Sequence, residues 1–256
     1  MKIKVLGCYG GQLPEKHNSG FILNGELLID AGTIALNSTI EEQRGIRNVL
    51  ISHSHMDHIG GLPFFAVNIV SNKADTVKIA ASEFTIDAIK KHLLNGVVWP
   101  DFTKIKNFGS QDIFSYMPVK ENEWFELGGY KIKAVSVNHT VPTFGFLIGK
   151  DDHYIMYTGD TKTTDNIWAE AVKLGDKLKT VFAEISFPND LKALAETSGH
   201  YVPKTLHEDL KKLGGLKPKI YVYHIKPEYF KKVKKELAAI PGLKVTPLQE
   251  KKEYTV

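Results

Sequence analysis

The segment Val49-Leu50-Ile51-Ser52-His53-Ser54-His55-Met56-Asp57-His58-Ile59-Gly60-Gly61 restricts this chain more than any other stretch. An apolar run ends, and four side chains with metal-ligand chemistry follow within six positions. In extended backbone, residues i and i+2 point to the same side, so His53 and His55 can chelate one ion. Asp57 and His58 come where the chain turns toward a helix entry at Gly60-Gly61-Leu62-Pro63, which aims them at a neighbouring position. One short turn can thus serve two metals. A polar loop rich in histidine by chance, or an artificial tag, would not sit directly after a core strand.

Two ligand pairs cannot complete two metal shells, and three more β-rich runs end in a ligand type. They are Val135-Ser136-Val137-Asn138-His139, Tyr154-Ile155-Met156-Tyr157-Thr158-Gly159-Asp160 and Ile220-Tyr221-Val222-Tyr223-His224. Strand ends along one edge of a sandwich converge in space, and rigid elements place ligands more accurately than loops do.

The rest of the pattern is that of one α/β domain over residues 1–256, built from two related halves dividing near residue 130. Phe21–Leu23, Asn24-Gly25 and Glu26–Ile29 read as a hairpin, because Asn-Gly tolerates the positive φ values of a type I′ turn. Gly128-Gly129 joins Trp124–Leu127 to Tyr130–Val137 similarly, and Phe144–Ile148 and Tyr154–Tyr157 bracket a polar third turn. Helices are predicted over Glu83–Leu94 behind Ser82, Asn166–Leu174, Lys204–Leu213 behind Pro203, and Glu228–Ala239 behind Pro227. Each half runs strands first and helices after, which predicts two mixed sheets face to face with helices outside.

Bulk properties exclude several classes. The only cysteine is Cys8, so an internal disulfide and a thiolate-rich zinc site are ruled out, and a reducing cytoplasm fits. Met1–Gly7 alternates charged and apolar residues as a strand does, unlike a secretory signal, and no apolar run is long enough to span a bilayer. The formal charge of +4 is spread over lysines interleaved with acids, so a nucleic-acid partner is not expected. His17, His92, His153 and His207 read as ordinary surface side chains. Gly7-Cys8-Tyr9-Gly10-Gly11 lacks the Walker lysine and the dinucleotide spacing, and reads as a tight turn at the rim of the site.

His53-Ser54-His55-Met56-Asp57-His58, followed in order by His139, Asp160 and His224, resembles the metallo-β-lactamase superfamily pattern over nearly the whole chain. The resemblance implies a four-layer αββα sandwich. It implies one metal on His53, His55 and His139, a second on Asp57, His58 and His224, and Asp160 bridging both, with Gly159 allowing close backbone approach. Asp30 matches the family's early aspartate, which supports a ligand histidine from outside. Imidazole and carboxylate donors without sulfur suit two divalent ions, zinc first, with manganese or iron as alternatives. Two such ions about 3.5–4 Å apart activate a bridging hydroxide, the expected nucleophile.

The superfold hosts many reactions, so other segments must narrow the substrate. An aspartate at position 160 argues against a zinc β-lactamase. Leu94–Phe102, Glu184-Ile185-Ser186-Phe187-Pro188-Asn189, Ser198-Gly199-His200 and His224-Ile225-Lys226-Pro227 resemble the class II 3′,5′-cyclic-nucleotide phosphodiesterases. That resemblance implies hydrolysis of a small cyclic nucleotide, cAMP or cGMP, to a 5′-nucleotide. Asn95, Trp99 and Phe102 are expected either to wall a base pocket or, for the two aromatics, to pack in the core. Glu184 is expected to orient His200 toward a phosphoryl oxygen or the leaving 3′ oxygen, completing a catalytic set with Asp57 and Asp160. A surface histidine capping a helix is the alternative for His200. A tRNA 3′-end endonuclease, an ester hydrolase of the same superfold and a non-catalytic metal- or nucleotide-binding scaffold are the rival readings. A homodimer is the expected assembly.

Overall fold

The computed structural model describes residues 1–71 and 75–256. Six strands follow one another in the first part of the chain: β1 (Lys2–Gly7), β2 (Gly20–Leu23), β3 (Leu27–Ala31), β4 (Asn48–Leu50), β5 (Val77–Ala81) and β6 (Phe114–Pro118). Seven more form a second sheet: β7 (Trp124–Leu127), β8 (Tyr130–Val137), β9 (Thr143–Lys150), β10 (His153–Tyr157), β11 (Leu178–Glu184), β12 (Lys219–Tyr223) and β13 (Thr246–Pro247). The last strand, β14 (Glu253–Thr255), returns to the first sheet beside β1. The chain therefore passes between sheets within residues 118–124, and Gly128-Gly129 is a turn inside the second sheet.

Both sheets are mixed by the same logic. The rim loop of residues 8–19 joins β1 to β2, and short connections join β2 to β3 and β7 through β10, giving two antiparallel meanders to which helical crossovers add parallel strands. Asn24 and Gly25 (φ 48° and 78°) take the type I′ conformation expected of them. So do Asp151 and Asp152 (φ 50° and 59°), where two aspartates rather than a glycine accept the left-handed region.

Three apolar layers make this a four-layer sandwich. Between the sheets lie Val5, Phe21 and Ile29 from one and Phe146, Tyr157, Phe182 and Tyr223 from the other. The outer face of the first sheet packs Leu28, Val49 and Ile79 against Leu62, Phe65 and Ile86 of its helices. The second sheet packs Val135, Met156 and Val181 against Trp168, Leu206 and Val233. Each such side chain, fully buried, contributes roughly 1.5–3 kcal/mol. The expected αββα architecture is what the chain adopts.

The predicted helices appear with altered ends. Ser82 caps Glu83–Ala88 by accepting from Thr85 N at 3.1 Å, and the helix then loosens into a π turn over Ile89–Leu93. Helices Asn166–Lys173, Pro203–Leu210 and Phe230–Ala238 cover the second sheet. Among the described residues, no helix is long and apolar enough to cross a membrane.

Candidate metal centre

The parallel strands point one way, so their C-terminal ends share an edge, and there the ligand-type residues meet. Past β4 stand His53, His55, Asp57 and His58, past β8 His139, past β10 Asp160, past β12 His224, and Asp30 lies in β3. His53 Nε2 and His139 Nε2 each lie 3.1 Å from His55 Nδ1. On the other side, His224 Nε2 is 3.2 Å from Asp57 Oδ2, 3.0 Å from Asp160 Oδ2 and 3.4 Å from His58 Nε2. Asp160 Oδ2 also stands 3.3 Å from His58 Nε2 and 4.0 Å from His53 Nε2, so one carboxylate faces both clusters.

These spacings suit metal coordination. Donors about 2.0–2.2 Å from a tetrahedral ion stand roughly 3.3–3.6 Å from each other, close to the separations found. Asp160 Oδ1 is buried with no hydrogen-bond partner among the described residues, a costly arrangement unless something binds there. The donors are imidazole and carboxylate only, a set that fits divalent metal ions.

Outer contacts select which ring nitrogen faces inward. His53 Nδ1 meets Ser52 Oγ at 2.9 Å, His58 Nδ1 meets Asp30 Oδ2 at 2.7 Å, His139 Nδ1 donates to Gly199 O at 2.9 Å, and His224 Nδ1 meets Ser186 Oγ at 2.9 Å. With Nδ1 engaged, each of the four rings turns Nε2 inward, the atom whose lone pair a neutral ring offers to a cation. Asp30, at φ 52°, also accepts from Ser52 N, Ser52 Oγ and Tyr157 Oη. It is the hub of the first sheet's side of the centre. No sequence pattern marks Ser52, Ser186 or Tyr157 as supports.

Two glycines are demanded by the geometry. Gly159 has φ 61°, and a Cβ there would meet Phe144 O at 2.7 Å, so the turn that presents Asp160 requires it. Gly10 lies against His224, where a Cβ would stand 2.6 Å from Nδ1, which places the Gly7–Gly11 turn at the rim. His224 itself has φ 69° and is held by Cys8 O accepting from its N–H.

Burial lowers the proton affinity of His53, His55, His139 and His200, bringing His139 and His200 to about 4 and leaving these rings neutral at pH 7. Burial opposes charge on His58 too, but Asp160, Asp30 and Asp57 outweigh it and hold the ring well above its usual range. For Asp57 and Asp160, burial is outweighed by His58 and His224, and both carboxyls are held low. The acidic side of the cluster thus calls for positive charge.

His200 is buried beside this centre, its ring 5.1 Å from that of His139 and 5.2 Å from that of His224. Its Nδ1 lies 2.9 Å from Glu184 Oε1, which also accepts from Thr161 N and Tyr201 N at 3.2 Å each. Burial and then the Asp160 charge push the Glu184 carboxyl well above its usual range. The surface-cap alternative for His200 does not describe this position.

The wall expected from Asn95, Trp99 and Phe102 is not assembled. Phe102 is 4% exposed and packs 6.1 Å from Phe114 in the core. Asn95 turns its amide onto its own loop, accepting from Val97 N and Val98 N and donating to Lys91 O. Trp99 leans on Phe64 across 5.7 Å. His17 is a second correction: it is buried, with Nδ1 2.8 Å from Glu250, because the rim loop folds down onto the C-terminal segment.

Fold and site together define a metallo-β-lactamase-fold protein with a candidate centre for metal ions. The fold is shared with the metallo-β-lactamase fold protein YhfI of Bacillus subtilis (TM-score 0.79, 18% identity, 99% of both chains). It is shared as well with unliganded yeast PDE1 (TM-score 0.81, 17% identity, 98% of both chains). The chain belongs to the anti-Pycsar protein Apyc1 family, whose model matches residues 1–238. A curated relative from Yersinia pestis, named a probable 3′,5′-cyclic-nucleotide phosphodiesterase, is 30% identical over 212 residues, 73% of this chain. The match spans 59% of that relative's length.

Proposed function

We propose that the protein is a metal-dependent phosphodiesterase that hydrolyses 3′,5′-cyclic nucleotides to 5′-nucleotides. The observation that carries the reading is the pair of donor clusters meeting at Asp160 Oδ2, in a chain whose relatives carry that activity in their names. In this reading His53, His55 and His139 hold one cation, Asp57, His58 and His224 a second, and Asp160 serves both. Zinc suits the set, and manganese or iron are the alternatives. Bound there, such ions supply Lewis-acid charge and make water nucleophilic near neutral pH.

The chain's own residues prepare that chemistry. Ser52, Asp30, Gly199 O and Ser186 hold the ligand rings in one tautomer, so no reorganisation is needed during reaction. Water adds to phosphorus as the P–O3′ bond breaks, and the departing O3′ must collect a proton. Glu184, its carboxyl held well above the usual range and so keeping its proton, hydrogen-bonds His200 Nδ1, which leaves Nε2–H to donate to O3′ or a phosphoryl oxygen as Nδ1 takes the Glu184 proton.

Steady-state turnover of 3′,5′-cAMP, 3′,5′-cGMP, a 2′,3′-cyclic nucleotide and a linear RNA ester tests the reading, on metal-loaded protein beside Asp160→Ala. Preference for a 3′,5′-cyclic substrate, abolished in the variant, is expected. Cleavage of RNA with silence on cyclic nucleotides would replace it with a nuclease.

A further inference from the structure

A cavity of about 440 Å³ opens beside the turn that carries Asp57, lined by Gln12, Asn18, Thr33, Leu36, Met56 and Phe64 among others. Phe64, on its wall, also meets Trp99 across 5.7 Å. Its back wall is backbone: Gly32 and Gly60 line it, and Gly32 packs so closely on the Asp57 carbonyl that a Cβ would stand 1.8 Å from the oxygen. Its outer wall is the rim loop, which bridges through Tyr9 to both Asn18 and Ile225, the neighbour of His224. The cavity therefore lies beside the turn that brings Asp57 to the centre, with the rim loop, whose Tyr9 meets the neighbour of His224, on its other side.

Its lining is apolar on the faces and unsatisfied at the edge. Leu36, Met56 and Phe64 are 62%, 63% and 55% exposed, an unusual degree for three large apolar side chains around one concavity. Thr33 is 2% exposed, and its hydroxyl has no partner among the described residues. Asn18 Oδ1 is likewise buried and unpartnered, while Asn18 Nδ2 donates to Gln12 Oε1 at 3.3 Å. Asn18 Oδ1 is closed off, so the polar group the pair presents to the cavity is the exposed Gln12 amide, held in place by Asn18 Nδ2.

We propose that this cavity seats the nucleobase of the substrate, with Phe64, Met56 and Leu36 against the ring and the Gln12 amide, positioned by Asn18, reading its edge. A base has flat apolar faces and an edge of alternating donors and acceptors. Apolar walls with a few convergent polar groups suit the faces, and carboxamides are the side chains that match a donor and an acceptor side by side. The inference rests on the phosphodiesterase reading and adds where the base lies and which residues discriminate it.

The test compares kcat/KM on 3′,5′-cyclic AMP, GMP, CMP and UMP with that on a base-free diester, 1-deoxyribose 3′,5′-cyclic phosphate, using metal-loaded wild type, Phe64→Ala and Asn18→Ala. Loss of an aromatic seat costs about tenfold or more in affinity, so Phe64→Ala should lower the ratio of cyclic-nucleotide to base-free kcat/KM by that factor, through KM. Asn18→Ala should narrow the spread among the four bases. A ratio and a spread that stay at wild-type values would overturn the assignment. Saturation-transfer NMR of adenosine and cytidine on metal-free protein separates the two readings. A nucleoside signal that Phe64→Ala abolishes, in a protein that turns over no cyclic nucleotide, would keep the cavity and refute the phosphodiesterase. Turnover of cyclic nucleotides with an undiminished nucleoside signal in Phe64→Ala would do the reverse.

Discussion

Tyr157, on the second sheet, donates its hydroxyl to Asp30 Oδ2, on the first, across 2.6 Å. Both residues are fully buried between the sheets, and Asp30 in turn holds His58 and Ser52. The bond fixes the two halves of the sandwich relative to each other at the depth of the candidate centre. Tyr157 stacks on Tyr223 at 5.0 Å, and Tyr223 donates to Gly159 O at 2.8 Å, so the same tyrosine pair also braces the turn that presents Asp160.

Tyr157→Phe keeps the ring and removes one donor from a buried carboxylate. Hydrogen bonds to charged groups are worth about 1.5–3 kcal/mol, so denaturant unfolding should show a loss of that order. Because Asp30 orients His58, the variant should also bind metal about tenfold more weakly in a chelator competition. Unchanged metal affinity would mean that Asp30 is held well enough by Ser52 alone.

Ser186 supports one cluster through His224, whereas Ser52 reaches both, through His53 and through Asp30 to His58, and their removal should be told apart. Ser186→Ala frees the Nδ1 of His224, and Ser52→Ala frees that of His53. Chelator titrations followed by metal content should show one cation released early in Ser186→Ala while the other is retained, and both weakened in Ser52→Ala, because Ser52 Oγ also donates to Asp30, which holds His58; outer partners are worth about 10–100-fold in affinity. Release of both ions together in both variants would show that the clusters act as one unit through Asp160.

How much of this can be read from the chain depends on the distance over which each contact is made. That His53, His55, Asp57 and His58 crowd together is local, and the later ligand types are legible because each follows a strand whose end the sandwich brings to one edge. Tyr157 and Asp30 are 127 positions apart, and Ser186 and His224 are 38 apart. A hydroxyl has no periodicity or spacing to betray such a pairing. The segment around Asn95 leaves more open: Phe102 takes the core place that was one of its two expected positions, Asn95 turns onto its own loop and Trp99 meets Phe64, a choice that depends on neighbours distant in sequence. His17 reads as a surface side chain because nothing nearby in sequence announces Glu250.

Glu184 and His200 should behave as one unit. His200→Ala is expected to lower kcat on a cyclic nucleotide by about 10²–10⁴ with metal content unchanged, the range for a positioned proton-transfer group. Glu184→Gln keeps a hydrogen-bonding amide against His200 Nδ1 without a transferable proton and should lose less than removal of the side chain. Glu184→Ala should approach His200→Ala, and the double variant should be no worse than either single one, since the partners share one interaction. Additive losses would place Glu184 in a separate role, bracing the backbone through Thr161 N and Tyr201 N.

Metal should stabilise the fold itself, because the donors come from separate strand ends that only the folded chain assembles. A cation at a hundredfold its Kd adds about 2.7 kcal/mol to the folded state. For a chain of this size each kcal/mol moves Tm by roughly 2–4 °C, so one saturated site should raise Tm by about 5–10 °C over chelator-treated protein. The rise should depend on metal concentration and shrink in Asp160→Ala, which removes the carboxylate facing both clusters. Coincident melting curves with and without zinc or manganese, for protein shown to be folded, would mean that the crowded imidazoles and carboxylates do not bind a cation, and the proposed chemistry would lose its base.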